Sequence, residues 1–133
     1  MHQWPVRVYY EDTDAAGVVY HSNYLKYMER ARTEWLRSAG FSQPALANDL
    51  GVVFVVGNMS INFKTPARFD DQLNVNSSIL ESTGTRFQFE QNIIGKDDRL
   101  ICSAEVNIVC VDTLTFKPKR IPEQIKAKLS YDN

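Results

Sequence analysis

The chain has 133 residues, 44% of them hydrophobic, and a formal net charge of −1 from 15 basic and 16 acidic side chains. That length holds one domain with a modest core, residues 1–133, and interspersed, near-balanced charge leaves no electrostatic footprint for nucleic acid or for an anionic membrane. The longest apolar run, Val52 to Val56, is far short of the roughly 20 residues that span a bilayer, and "MHQWPVRVYYEDTD" lacks a signal peptide's basic-then-apolar order, so a soluble, cytoplasmic chain is expected.

In chain order, Pro5 to Tyr10 (PVRVYY) alternates apolar and polar residues and predicts a first strand, with Val6 and Val8 on one face and Pro5 at its start or on a sheet edge. An acidic stretch follows, "YYEDTDAAGVVYHSNY" from Tyr9 to Tyr24. Ser22 or Asn23 then offers a side-chain cap to a helix. Leu25, Met28, Ala31, Arg32, Trp35, Leu36 and Ala39 recur near the helical period, and Gly40 is a natural stop. From Gly51 the period changes to two. Met59, Ile61 and Phe63 mark one strand, Leu73, Val75 and Ile79 a second, Phe87, Phe89 and Ile93 a third, and Leu100 through Cys110 a longer fourth. The breaks "TPARFDD", "STGT" and "GKDD" suit short reversals, which imply antiparallel neighbours. A terminal helix is expected over Pro122 to Leu129.

The resulting fold class is α+β, an antiparallel sheet of about five strands around one long helix. One helix covers only part of such a sheet, and the strand after Gly51 is apolar on consecutive residues, so self-association is expected. Cys102 and Cys110 fit neither a redox pair nor zinc spacing and read as buried apolar residues in a reducing compartment. His2 and His21 are too few for a transition-metal site, and the acidic stretch lacks the glycine spacing of a calcium loop, so neither metal nor cofactor is predicted.

The acidic stretch is either a polar turn that launches the helix or an active site. Asp12, Thr13 and Asp14 are common turn residues, and acids before a helix meet its dipole favourably. Yet a carboxylate at Asp14, close to the unpaired N–H groups of a helix start, is also the minimum apparatus for acyl transfer without serine, cysteine or metal. His21 could orient a carbonyl there, and Tyr10 could donate through its hydroxyl. Glu11 and Asp12 are read as turn or surface residues.

The segment "VRVYYEDTDAAGVVYHSNYLKYMERARTEWL", with "FKTPARFDDQL" and "CVDTLTFKPKRIP" further on, closely resembles the 4-hydroxybenzoyl-CoA thioesterase family of hotdog-fold proteins, in its YbgC branch, which is associated with the Tol-Pal envelope system. The resemblance implies a sheet wrapped around a central helix, active sites between paired subunits, and a homotetramer built as a dimer of dimers. It implies hydrolysis of an acyl-CoA, or of an acyl group on acyl carrier protein, with Asp14 as the catalytic aspartate, Tyr10 and His21 beside it, and the His21 amide facing the thioester carbonyl. CoA is a polyanion, so cations must meet it. Lys117, Lys119 and Arg120 form the densest basic run, with Lys64 and Arg86 as further candidates. A dehydratase of the same fold and a binding adaptor of the Tol-Pal system are the competing expectations.

Overall fold

Five alternating segments pair into one antiparallel sheet. In the computed structural model, which describes all of residues 1–133, the strands are β1 (His2–Arg7), β2 (Val52–Phe63), β3 (Gln72–Ser82), β4 (Arg86–Ile94) and β5 (Leu100–Asp112). Their order across the sheet is β1-β3-β4-β5-β2, every neighbouring pair antiparallel. The helices are α1 (His21–Ser38), α2 (Gln43–Leu50) and α3 (Glu123–Asp132).

The expected first strand is displaced. It starts at His2 and stops at Arg7, because its register against β3 runs out where β3 begins, at the pair Arg7↔Gln72. The Tyr9 N–H then turns to the Asp12 carboxylate, which ends the ladder. Pro5 is tolerated inside β1 because β1 is an edge strand and one side needs no donor.

The α1 helix packs on one face of the sheet. Its buried stripe runs through Tyr24, Tyr27, Met28, Ala31, Trp35 and Leu36 and on to Ala39, as expected from Met28 onward, whereas Leu25 faces solvent and Tyr24 and Tyr27 fill the core in its place. Trp35, 1% exposed, stacks on His2 at 5.6 Å and meets Phe89 edge-on at 5.8 Å. The helix cap also differs: Tyr20 occupies the position, without a side-chain bond, and Ser22 and Asn23 lie in the first turn. The other face of the sheet is polar, carrying Asn74, Gln88, Glu90 and Glu105. Exposed apolar side chains on the sheet are Leu80 in β3 and, along the β2 edge, Val55 (37%), Val56 (50%) and Phe63.

Sequence periodicity does not announce α2. It has eight residues and buries only Leu46, so its signals are confined to its ends: the Ser42 hydroxyl accepts from the Ala45 N–H, Pro44 sits in the first turn, and Gly51 closes it at φ +65°. Ser42→Ala is expected to cost about 1 kcal/mol of stability, read from a chemical denaturation midpoint. The last helix forms where expected and runs on to Asp132, burying Ile125 and Leu129. Both cysteines are free and buried, as expected, and burial pushes the Cys102 thiol up to about 12.

Candidate active site

The acidic stretch folds into a small hairpin between β1 and α1. Tyr10–Asp12 forms a single 3₁₀ turn, then Thr13 and Val19 pair as an antiparallel bridge. The Asp14 N–H donates to the Val18 carbonyl at 2.9 Å, and the Gly17 N–H donates to the Asp14 carbonyl at 3.0 Å. That tip requires φ +79° at Gly17, a backbone shape that costs a side-chain-bearing residue energy. The returning arm is tied to the β2–β3 connection, since Val18 bridges Arg68 and the Val19 N–H donates to the Ala67 carbonyl at 2.8 Å.

The two arms carry complementary groups. Asp14, on the outgoing arm, is exposed; its Oδ1 accepts from the Ala16 N–H at 2.9 Å and its Oδ2 accepts no bond within the chain. On the returning arm, His21 opens the 18-residue helix α1, and neither its N–H nor that of Ser22 donates within the chain. Aligned peptide dipoles make that end an acceptor's site. Asp14 and His21 thus stand on the two arms of one tight hairpin, Asp14 opposite Val18 and His21 three residues further along the returning arm. The His21 ring lies 4.3 Å from that of Tyr20 and 6.2 Å from that of Phe63. With Tyr24, Phe63, Lys64 and Thr65 it lines an open cavity of about 290 Å³. Tyr10 belongs to the same turn, is 78% exposed, and sets its ring edge-on to Phe69 at 5.7 Å.

Asp12 is a turn residue as expected, and more. It is half-buried rather than a surface residue, and its Oδ2 accepts from the Tyr9 N–H at 2.9 Å and from the Tyr27 hydroxyl at 2.8 Å. Its carbonyl accepts from the Tyr20 N–H at 2.9 Å and the Asn23 side-chain amide at 2.8 Å. Burial, and then the bond to Asp12, hold the Tyr27 hydroxyl well above its ordinary pKa. Glu11 is exposed, as expected.

The basic run is placed far from this hairpin. Lys117, Lys119 and Arg120 follow β5, whose end Asp112 pairs with Val52, while His21 packs by Phe63 at the opposite end of β2. That separation is roughly 35 Å at about 3.3 Å per strand residue. Lys119 is also engaged, 3.5 Å from Asp112 and donating to the Leu50 carbonyl at 3.3 Å, and Arg120 lies 3.7 Å from Glu123. Within one protomer this run cannot reach a ligand's phosphates at Asp14. Arg86, at the start of β4, lies at the far end too. The near cations are Lys64, in the cavity wall, and Arg68, which sequence reasoning missed because it stands alone.

A second cavity, of about 120 Å³, lies between α1 and the sheet against Arg32, Trp35, Phe54 and Phe87, and contains none of Tyr10, Asp14 and His21. No three His, Cys, Asp or Glu side chains gather closely enough to hold a metal ion. No helix is long and apolar enough to cross a membrane.

A family model described as the thioesterase-like superfamily matches residues 8–129. The chain is 49% identical over 126 residues to the acyl-CoA thioester hydrolase YbgC of Escherichia coli, covering 95% of this chain and 93% of that one. Among solved structures it is similar to a probable thioesterase from Bartonella henselae, with a TM-score of 0.86, 40% identity, and 91% and 98% of the two chains covered. A 1,4-dihydroxy-2-naphthoyl-CoA thioesterase from Synechocystis superposes with a TM-score of 0.90 at 27% identity, over 97% of this chain and 95% of that one.

Proposed function

Since the chain belongs to the thioesterase-like superfamily, we propose that it hydrolyses acyl-CoA thioesters to a free acid and coenzyme A, with Asp14 as the catalytic carboxylate. One juxtaposition carries this assignment: the free Oδ2 of Asp14 and the unpartnered His21 N–H stand on the two arms of one hairpin.

The thioester oxygen accepts from the His21 N–H, where negative charge gathers as the carbonyl carbon becomes tetrahedral. Asp14 either adds to that carbon, giving a mixed anhydride that water then opens, or takes a proton from a water that adds. In the direct route water's oxygen ends in the acid, and in the anhydride route it ends in the acid or in Asp14, whichever carbonyl it adds to; in both the C–S bond breaks, and the thiolate leaves and takes up a proton. A thiolate needs no strong general acid to depart. The His21 ring orients the acyl group against Phe63, and Tyr10 offers its hydroxyl from the far side of the turn.

A second copy of the chain supplies what one protomer lacks. β2 is a free sheet edge of 12 residues with Val55 and Val56 exposed. Two copies joined along it about a twofold axis run antiparallel, which sets the second copy's Val52 end, and so its Lys117, Lys119 and Arg120, beside Phe63 and His21. Those cations, with Lys64 and Arg68 of the first copy, then meet the CoA phosphates. Two such dimers form the tetramer. Buried free thiols favour a reducing compartment, the cytoplasm.

The test is a panel of short, long and aromatic acyl-CoAs, and an acyl group on carrier protein, with thiol release followed by a thiol-reactive dye. Catalytic release from at least one member is expected. Tight binding without release would favour an adaptor beside the Tol-Pal system, and an enoyl product from a β-hydroxyacyl substrate a dehydratase.

A further inference from the structure

The first acid of the D-T-D triplet has a job that a surface turn residue does not need. Asp12 joins four segments: the exit of β1 through the Tyr9 N–H, the return of the hairpin through the Tyr20 N–H, and two successive turns of α1 through Asn23 and Tyr27. Asp14 follows on the outgoing arm and the His21 amide follows Tyr20 on the returning arm. The Asp12 side chain ties the outgoing arm to α1 through the Tyr27 hydroxyl, and its carbonyl ties the returning arm through Tyr20 and Asn23, beside one further bond from the Asn23 N–H to the Tyr20 carbonyl at 2.9 Å. The Tyr27 ring is 1% exposed and anchored in the core, so its hydroxyl is a fixed point rather than a mobile donor.

We infer that Asp12, held by the Tyr27 hydroxyl, is a positioning residue that fixes in register the two arms carrying the Asp14 carboxylate and the His21 amide, and this rests on the assignment of Asp14 as the catalytic carboxylate. Asp12 itself does not touch the thioester. Its Oδ2 is taken by two donors, whereas the Oδ2 of Asp14 is free. The two acids thus divide along the chain: one holds the hairpin, the other reacts. Holding matters because acyl transfer depends steeply on distance, and a misplacement of about 1 Å can cost on the order of 10²-fold in rate.

The experiment compares kcat and KM for thiol release in Tyr27→Phe, Asp12→Ala, Asp12→Asn and the double variant Asp12→Ala/Tyr27→Phe, beside Asp14→Asn, at a temperature where circular dichroism shows each folded. Tyr27→Phe and Asp12→Ala are each expected to lower kcat by about 10²-fold with KM near wild type, because the groups that meet CoA are untouched. The double variant should be no slower than the worse single one, since both remove the same bond. Asp12→Asn, which keeps an oxygen to accept from Tyr27, should recover most of kcat.

Wild-type kcat in both Tyr27→Phe and Asp12→Ala, with Asp14→Asn inactive, would overturn the positioning role alone. Asp12→Asn as slow as Asp12→Ala would overturn it too, because the charge of Asp12 rather than its geometry would then be at work. Full turnover by Asp14→Asn would instead overturn the assignment of the catalytic carboxylate. Should Asp12→Ala not fold, Tyr27→Phe still decides, because it removes one oxygen and leaves the ring in the core.

Discussion

Asp14→Asn is expected to lower kcat for thiol release by about 10²–10⁴-fold, the contribution typical of a positioned general base, or more if Asp14 adds to the carbonyl itself. The substitution is nearly isosteric. Its amide oxygen can keep the bond from the Ala16 N–H, so the Asx-type turn survives. Asp14 is also exposed, so stability should move by no more than about 0.5 kcal/mol. Acyl-CoA should still bind, since the His21 amide, the cavity wall and the cations are unchanged. Circular dichroism, sedimentation and a binding titration beside the kinetics would check all three. A loss of turnover accompanied by unfolding would leave the role of Asp14 unsupported.

Val56→Asp is expected to separate the copies and abolish turnover together. Val56 is half exposed on a free strand edge, and a carboxylate placed in a paired edge loses water without gaining a partner. A twofold interface counts each substitution twice, so a penalty of several kcal/mol per carboxylate weakens the dimer by roughly 10³-fold or more. Each protomer should still fold, since in isolation Val56 faces solvent. Turnover should fall because the second copy's Lys117, Lys119 and Arg120 are lost from the site. Sedimentation velocity at several concentrations, with activity read on the same samples, checks this. A dimer of unchanged strength would remove β2 as the contact edge.

The strands are legible in the sequence because burial on one face imposes alternation, and Phe87, Phe89, Gln91 and Ile93 show it without interruption. The α1 stripe is legible in the sequence through Met28, Ala31, Trp35, Leu36 and Ala39, all buried, and fails at Leu25. Tyr24 and Tyr27 are amphipathic side chains, and it is packing against the sheet that turns them inward while Leu25 points out. The α2 helix, short and burying one leucine, leaves almost no period to find. In the site, Asp12 and Asp14 are two equal carboxylates in one dimension. What separates them is Tyr27, a turn and a half into the helix, whose hydroxyl reaches back only once the chain has folded. The cations teach the same lesson differently. Density along the chain favours Lys117, Lys119 and Arg120, yet antiparallel register carries them to the far end of the sheet, while the isolated Lys64 arrives beside His21 and Arg68 beside Val18.

This hairpin is expected to turn acyl-CoA over rather than hold it. The most direct measurement is the number of thiols released per protomer from saturating acyl-CoA, wild type and Asp14→Asn side by side, with the protein's own buried thiols subtracted. Many thiols per protomer for the wild type and fewer than one for Asp14→Asn are predicted over the same interval. Equal counts for the two proteins, or at most one thiol per protomer from a wild type that retains the acyl-CoA, would contradict it.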